Sequence, residues 1–139
     1  MLIHKTEIRV RYADTDQMKF VYNGKYFEYF EVGRTEMLRE NGLPYHFIES
    51  KGYLLPVIET YAKFIIPAKY DDILIVESKV KEYPAFRIHI DYRIIRKGTG
   101  ELIVEGFTDH VFLKEATKKP SRPPEFFIEA MKQFFKIKN

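Results

Sequence analysis

A chain of 139 residues, 45% of them hydrophobic and 16% aromatic, is long enough to build one domain around a substantial core. Its net charge of +3 comes from interspersed residues of both signs, which argues against a nucleic-acid surface, and its lack of cysteine excludes disulfides, thiol catalysis and zinc–thiolate sites. No signal peptide opens the chain and no apolar run reaches the roughly 18 residues of a membrane span, so a cytoplasmic protein without a membrane segment is expected.

The first predicted element is a half-buried strand that ends near Tyr12. Apolar and charged side chains alternate along residues 7–12, with Ile8, Val10 and Tyr12 on one side. Residues 13–22 carry few periodic cues and are expected to form a loop.

One long helix is predicted from Gly24 to about Asn41. Asn23 is a suitable N-cap, and a glycine after Asn41, followed by Pro44, is typical of a helix end. Apolar side chains cover more than one narrow stripe, so the helix is expected to be buried along much of its length. Gly33 in mid-helix costs on the order of 1 kcal/mol relative to alanine, which indicates that another backbone approaches closely there.

Four further strands and a terminal helix follow a loop or short helical turn at residues 44–51. The first of these strand regions is interrupted by Pro56 and Pro67, which suggest edge positions or bends. In chain order the predicted strands span residues 53–70, 73–83, 86–97 and 101–115, and a short helix runs from Glu125 to about Ile137.

One strand, one long apolar helix, four strands and a terminal helix predict a single α+β domain over residues 1–139. The apolar face of an antiparallel sheet has to be covered, and the long helix is the element available to cover it. An antiparallel five-stranded sheet wrapped around one central helix is therefore expected.

Several kinds of catalytic centre are absent from the sequence. The four histidines do not have metal-ligand spacing, no serine lies in a nucleophile elbow, and no phosphate loop or dinucleotide fingerprint occurs. His89 and His110 fall at polar positions of predicted strands and are expected to face solvent. Carboxylates remain as candidate chemical groups.

Asp14 and Asp16 lie two residues apart before the aromatic helix. Each could cap backbone amides, because helix N-termini are electropositive, or take part in catalysis, and spacing alone does not decide between these roles. Glu31 lies in the helix three residues before Arg34, so it is either a functional group or half of a structural ion pair.

The segment RYADTDQMKFVYNGKYFEYFEVGRTEMLR resembles the signature of the 4-hydroxybenzoyl-CoA thioesterase family, in its subgroup of small acyl-CoA thioesterases. The segment PVIETYAKFIIPAKYDDILIVES is similar to a second block of that family. The resemblance spans about residues 6–120 and implies the hotdog fold. The positions that match the signature in register are Tyr12, Asp14, Asp16, Val21, Tyr22, Asn23, Tyr26, Phe27, Tyr29, Phe30, Glu31, Gly33 and Arg34.

The resemblance implies hydrolysis of an acyl-CoA thioester to a free acid and CoA. In the family, the aspartate aligned with Asp16 attacks the thioester carbonyl or activates water, and a backbone N–H at the helix start, here around Asn23, binds the carbonyl oxygen. Asp14 is expected to be a loop or capping group. The family needs neither cofactor nor metal, and its members form dimers and often homotetramers.

The resemblance also indicates a dry acyl pocket formed between subunits. Tyr22, Tyr26 and Phe27 are candidates for its wall, although Phe27 fits a core position equally well, and Glu31 either contacts a polar acyl group or pairs with Arg34.

The chain departs from the family pattern at Lys19, where the family has glycine. Either the loop follows a different path, or this position does not require the positive φ that glycine allows. Lys19 could pair with Asp16 and lower its pKa, or reach the substrate.

Two rival functions remain open from the sequence. A non-catalytic protein could bind acyl thioesters or an acyl carrier protein in the same groove, and Lys19 keeps this alternative open. A hydratase of the same fold would need a catalytic histidine, and the signature segment contains none.

Overall fold

An antiparallel sheet wrapped around one long helix dominates residues 1–135, the part of the chain that the computed structural model describes. The long strands pair in the order β1-β4-β5-β6-β3, and two-residue strands β2 and β7 pair with the far end of β6. The elements are β1 (Leu2–Arg9), α1 (Lys25–Glu40), α2 (Tyr45–Ser50), β2 (Tyr53–Leu54), β3 (Val57–Phe64), β4 (Ile73–Val80), β5 (Arg87–Arg96), β6 (Leu102–Lys114), β7 (Pro120–Ser121) and α3 (Glu125–Met131), with 3-10 turns at Tyr12–Asp14 and Lys132–Phe134. The predicted α+β layout of five long strands around one helix is confirmed.

The core lies between α1 and the inner face of the sheet. Buried and less buried residues alternate along β4 and β5, as expected for strands covered on one side. Phe30 is fully buried at the centre and stacks on Tyr92 of β5, with ring centroids 4.4 Å apart.

Gly33 allows α1 to lie close to β4. A Cβ at this position would lie 2.6 Å from the Ser78 hydroxyl oxygen and 2.7 Å from a methyl carbon of Val76. The predicted close approach is therefore present, but the neighbouring atoms belong to side chains of the sheet and not to a backbone.

β3 is an edge strand that the rest of the chain leaves largely uncovered. Within the described part of the chain it pairs only with β6, and seven of its eight residues are exposed. The two prolines that predicted edge positions or bends lie just outside it, Pro56 before and Pro67 after. Uncovered apolar edges of this kind favour pairing with another chain.

Three local predictions are wrong. β1 ends at Arg9, and Tyr12 begins a 3-10 turn with its side chain exposed. Asn23 is not the N-cap of α1, because Gly24 holds that position and no side chain caps the helix. His110 does not face solvent: it is 1% exposed, since it lies on the inner face of β6 opposite Ile88.

The terminal helix is shorter than predicted over the described residues. α3 ends at Met131 and a 3-10 turn follows to Phe134. The remainder of the predicted helix, to about Ile137, reaches residues 136–139, which lie outside the described part of the chain. Within residues 1–135, no helix is long and apolar enough to cross a membrane.

Candidate active site

Asp16 begins a tight turn between the 3-10 turn and α1. Thr15 and Val21 form an isolated antiparallel bridge, the Asp16 N–H donates to the Phe20 carbonyl at 2.9 Å, and the Lys19 N–H donates to the Asp16 carbonyl at 2.9 Å. Lys19 has a φ of 67°, so the turn ends on a residue in the left-handed region, as in hairpins that close through a glycine bulge. The alternative that position 19 does not require positive φ is therefore wrong.

The Asp16 carboxylate is held through one oxygen. Oδ1 accepts the N–H of Met18 at 2.9 Å and of Phe20 at 3.4 Å. Oδ2 receives no donor from residues 1–135, and no ion pair joins Lys19 to Asp16 there, so the pairing suggested from the sequence is not present. The side chain is exposed, with one oxygen fixed and the other available.

The start of α1 presents two free backbone donors. The N–H of Lys25 donates to the Tyr22 carbonyl at 2.9 Å, and the N–H of Tyr26 donates to the Asn23 carbonyl at 3.3 Å. The N–H groups of Asn23 and Gly24 meet no acceptor within the described chain. Unpaired amides at a helix N-terminus attract negative charge, and the helix dipole adds to this attraction. Asn23 is the donor expected from the sequence; Gly24 was not predicted, although the rule that the first helical amides lack partners points to it as well.

Asp14 has the opposite environment from Asp16. It is 2% exposed, and its Oδ2 accepts the Tyr29 hydroxyl at 2.8 Å and the Arg11 N–H at 3.1 Å. Its Oδ1 accepts the Arg11 guanidinium at 3.0 Å and lies 3.8 Å from the Lys25 ammonium. The predicted capping role is confirmed, because Asp14 and Arg11 close the capping box of the Tyr12–Asp14 turn.

These contacts determine the charge of Asp14. Burial alone would raise its pKa, but the Arg11 N–H, the Tyr29 hydroxyl and the Arg11 guanidinium outweigh burial and hold the pKa of Asp14 below its usual value. Burial and the neighbouring carboxylate raise the pKa of Tyr29, so it remains a neutral donor. Asp14 is thus an ionised carboxylate with both oxygens occupied.

The remaining predicted pocket residues divide between surface and core. Tyr22, Lys19 and Glu31 are exposed, whereas Tyr26 is 3% exposed and its hydroxyl accepts the Ala68 N–H at 3.1 Å. Phe27 is partly exposed and packs edge-on against Phe30.

Glu31 forms no ion pair with Arg34 among the described residues. Arg34 is buried, and although burial would lower its pKa, the tyrosines Tyr92 and Tyr45 raise it. The arginine therefore contacts the interior of the fold, and the exposed Glu31 carboxylate is available for another role.

The candidate site adjoins the uncovered edge of the sheet. Phe64, the last residue of β3, has its ring 5.6 Å from that of Tyr26, and the Ala68 carbonyl accepts the Val21 N–H at 2.9 Å. A single chain leaves Asp16 open to solvent at this edge, so it does not by itself form the dry pocket predicted from the sequence.

A free carboxylate oxygen and unpaired amides at a helix start suit one type of reaction. The carboxylate can attack a carbonyl or deprotonate water, and the amides can bind the oxyanion that develops. Residues 1–135 contain no group of three histidine, aspartate or glutamate side chains placed to hold a metal ion.

The chain is similar to known thioesterases in sequence and in structure. A profile of the thioesterase-like superfamily matches residues 10–131. A putative acyl-CoA thioesterase from Bacillus subtilis is 34% identical over 120 residues, which cover 86% of this chain and 86% of the relative. The crystal structure of a DHNA-CoA thioesterase from Staphylococcus aureus superimposes with a TM-score of 0.89 at 31% identity, covering 96% of this chain and 91% of the other.

A 4-hydroxybenzoyl-CoA thioesterase crystal structure superimposes with a TM-score of 0.84, covering 94% of this chain and 99% of the other. At 20% identity this match supports the fold alone. The hotdog fold expected from the signature is confirmed.

Proposed function

The chain belongs to the thioesterase-like superfamily, and we propose that it hydrolyses acyl-CoA thioesters as a single thioesterase domain with Asp16 as its catalytic carboxylate. The observation that carries this proposal is that Asp16 Oδ2 receives no donor from residues 1–135, on a turn seven and eight residues before Asn23 and Gly24, whose N–H groups meet no acceptor there. Relatives named as acyl-CoA thioesterases support hydrolysis and do not favour a protein that only binds thioesters.

The reaction converts one thioester and one water into a carboxylic acid and the CoA thiol. The thioester carbonyl oxygen accepts hydrogen bonds from the N–H groups of Asn23 and Gly24, which polarise the carbonyl and bind the oxyanion. Asp16 Oδ2 supplies the electron pair, either directly to the carbonyl carbon or by removing a proton from water. A thioester is already activated, so these groups suffice without a cofactor.

Lys19, Tyr22, Tyr26 and Glu31 are proposed to border the acyl group. Lys19 lies in the Asp16 turn, Tyr22 follows that turn, Tyr26 lies in the first turn of α1, and Glu31 is five residues further along the helix. Glu31→Gln is expected to change the ratio of kcat/KM between hydroxylated aromatic and aliphatic acyl-CoAs, while leaving hydrolysis itself intact. An unchanged ratio would remove Glu31 from the pocket.

The direct test measures free thiol release from short-chain, long-chain and aromatic acyl-CoAs. Asp16→Asn is expected to lower kcat by at least about 100-fold, because a positioned base or nucleophile contributes about that much or more. Asp71→Asn is the matched control, since Asp71 is another exposed turn aspartate, paired with Arg9. Wild-type inactivity across the panel, or full activity of Asp16→Asn, would contradict the proposal.

A single-turnover experiment in H₂¹⁸O separates the two roles of Asp16. Direct attack forms a mixed anhydride, and water that cleaves it at the aspartyl carbonyl leaves ¹⁸O in the Asp16 carboxylate. General-base catalysis places ¹⁸O only in the product acid. Mass spectrometry that finds ¹⁸O in the peptide containing Asp16 therefore identifies direct attack, whereas an unlabelled peptide is expected for general-base catalysis and for an anhydride cleaved at the acyl carbonyl.

We further propose a dimer that forms along β3, or a tetramer of two such dimers, with the partner covering the Asp16 edge. Ile58, Tyr61 and Phe64 of β3 are each about half exposed, and Phe64 contacts the candidate site. Sedimentation analysis is expected to show Ile58→Lys as a monomer. Ile3→Lys, on the opposite edge strand β1, is the control and should retain the oligomer. A cytoplasmic location follows from the proposed substrate, since acyl-CoAs are intracellular, and cell fractionation tests it.

A further inference from the structure

Asp14 connects the three segments that meet at the candidate active site. Its carboxylate accepts hydrogen bonds from Arg11 at the exit of β1 and from Tyr29 in the second turn of α1. Its backbone carbonyl accepts the N–H of Tyr22, one residue before Asn23. The same residue therefore contacts the strand, the helix and the chain that enters the helix.

Asp16 has no comparable link to the helix. Among the described residues, its carboxylate accepts only from amides of its own turn, and its backbone bonds also stay within that turn. The position of Asp16 relative to α1 depends on what holds the chain on either side of the turn. On the N-terminal side this is Asp14, two residues away and buried.

The Tyr29 hydroxyl is the part of this connection that joins Asp14 to the rigid body of the helix. Tyr29 is 5% exposed and lies inside the hydrogen-bonded part of α1, whereas Tyr22 precedes the helix. The O–H···O distance of 2.8 Å is ordinary for a hydroxyl donor, and the negative charge of the acceptor strengthens the hydrogen bond. Lys25, 3.8 Å from the same carboxylate, adds a second contact in the first helical turn.

We propose that Asp14 is a positioning residue, which sets the distance between the Asp16 carboxylate and the amide donors at the start of α1 through its hydrogen bond with Tyr29. The inference rests on the proposed function of Asp16 and adds Asp14 and Tyr29 to the groups on which the rate depends. Both residues are at most 5% exposed, so neither is proposed to touch the substrate. Loss of their contact should therefore lower kcat and leave KM nearly unchanged.

The test compares Tyr29→Phe with Tyr92→Phe. Both substitutions remove one buried hydroxyl and its hydrogen bond, since the Tyr92 hydroxyl lies 2.6 Å from that of Thr108, but only Tyr29 contacts Asp14. We expect Tyr29→Phe to lower kcat about tenfold with KM within about twofold, because small displacements of reacting groups cost up to about 100-fold. Asp14→Asn should lower kcat further, and Tyr29→Phe keeps the test valid if Asp14→Asn does not fold.

Hydrogen exchange of the peptide covering residues 15–24 gives a second measurement that does not depend on activity. Its amides should exchange faster in Tyr29→Phe than in the wild type, and at the wild-type rate in Tyr92→Phe. Wild-type kcat in Tyr29→Phe, an equal loss of kcat in Tyr92→Phe, or unchanged exchange in Tyr29→Phe would each overturn the inference. If the wild type hydrolyses no thioester, the proposed function fails, and the exchange rates alone then decide whether Asp14 holds this segment.

Discussion

His110 should make the folded protein sensitive to acid. Burial, together with the positive charge of Arg34, lowers the pKa of His110 from 6.5 to about 4. Its Nε2 lies 2.9 Å from the Thr108 hydroxyl and its Nδ1 lies 3.5 Å from the Leu55 carbonyl. A neutral ring satisfies both contacts, with Nδ1–H donating to the carbonyl and Nε2 accepting from the hydroxyl.

The magnitude of the effect follows from the shift. Between pH 6.5 and pH 4 the unfolded chain binds a proton at this histidine and the folded chain does not, so stability rises with pH across that window. A shift of about 2.5 pKa units lowers the free energy of unfolding by about 3 kcal/mol below pH 4, at 1.36 kcal/mol per unit. From pH 7.5 to pH 5.0 the loss should be about 2 kcal/mol.

Urea denaturation of wild type and His110→Gln at pH 7.5 and pH 5.0 measures this loss, at one fixed protein concentration because association shifts apparent stability. We expect the wild type to lose about 2 kcal/mol more than the variant, or a urea midpoint about 1 M lower for a slope near 2 kcal/mol/M. His46→Gln is the control, since His46 is exposed on α2, and it should behave as the wild type. Equal losses in wild type and His110→Gln would refute the reasoning.

Three other changes give separate tests. Gly33→Ala should destabilise the fold by about 1–3 kcal/mol in urea denaturation, because the new methyl overlaps Ser78, and adding Ser78→Gly should recover part of the loss. Lys19→Gly should stabilise the fold by about 1 kcal/mol, because glycine adopts the left-handed backbone without strain. If the pH–rate profile and the acyl-CoA preference of this variant are unchanged, the lysine side chain has no role in the reaction. Burial alone would lower the pKa of His89, but the hydrogen bonds that its ring donates to the carboxylates of Asp109 and Asp91 raise it, so its stabilising contribution is present below pH 6.5 and is lost as pH rises through the folded-state pKa. His89→Gln should abolish that decline in urea titrations between pH 6 and pH 9, and a persistent decline would contradict the assignment.

The periodicity of the chain was sufficient to predict the fold. Apolar side chains alternate along β4 and β5, and they cover a broad surface of α1. A sheet around the helix is the arrangement that buries both apolar surfaces. Gly33 also indicated close packing correctly. Patterns of this kind report which face of an element is covered, and that is the information a layered fold needs.

The errors occurred where a local contact overrides periodicity. His110 has a polar side chain at an inner position of β6, and it is tolerated because Thr108 and Leu55 satisfy its ring. Tyr12 continues the alternation of β1 in sequence, but the capping box between Arg11 and Asp14 turns the chain first. A pattern that compares only hydrophobicity does not predict hydrogen-bond partners that are distant in sequence or lie in the next turn.

Lys19 shows how a departure from a family pattern can leave the backbone unchanged. The left-handed conformation costs a lysine about 1–2 kcal/mol relative to its preferred region. The turn nevertheless keeps it, because the bonds of Asp16 and Phe20 that close the turn and the Thr15–Val21 bridge determine the path on both sides. Replacing Lys19 by glycine therefore tests the role of the lysine side chain without altering where the Asp16 carboxylate lies.

The two aspartates differ in environment because the chain changes conformation between them. Residues two apart in a strand share a face, but the 3-10 turn ends at Asp14 and Thr15 is extended, so Asp14 is buried and Asp16 opens the next turn. Asp14 is buried, but donors occupy both of its oxygens and hold its pKa low. Neither oxygen is therefore available to attack a carbonyl or to deprotonate water. Asp16 is exposed in the single chain but has one oxygen without a donor among residues 1–135. The free oxygen, rather than burial, is the reason for proposing Asp16 as the catalytic group, and in that proposal the chain that pairs with β3 covers it.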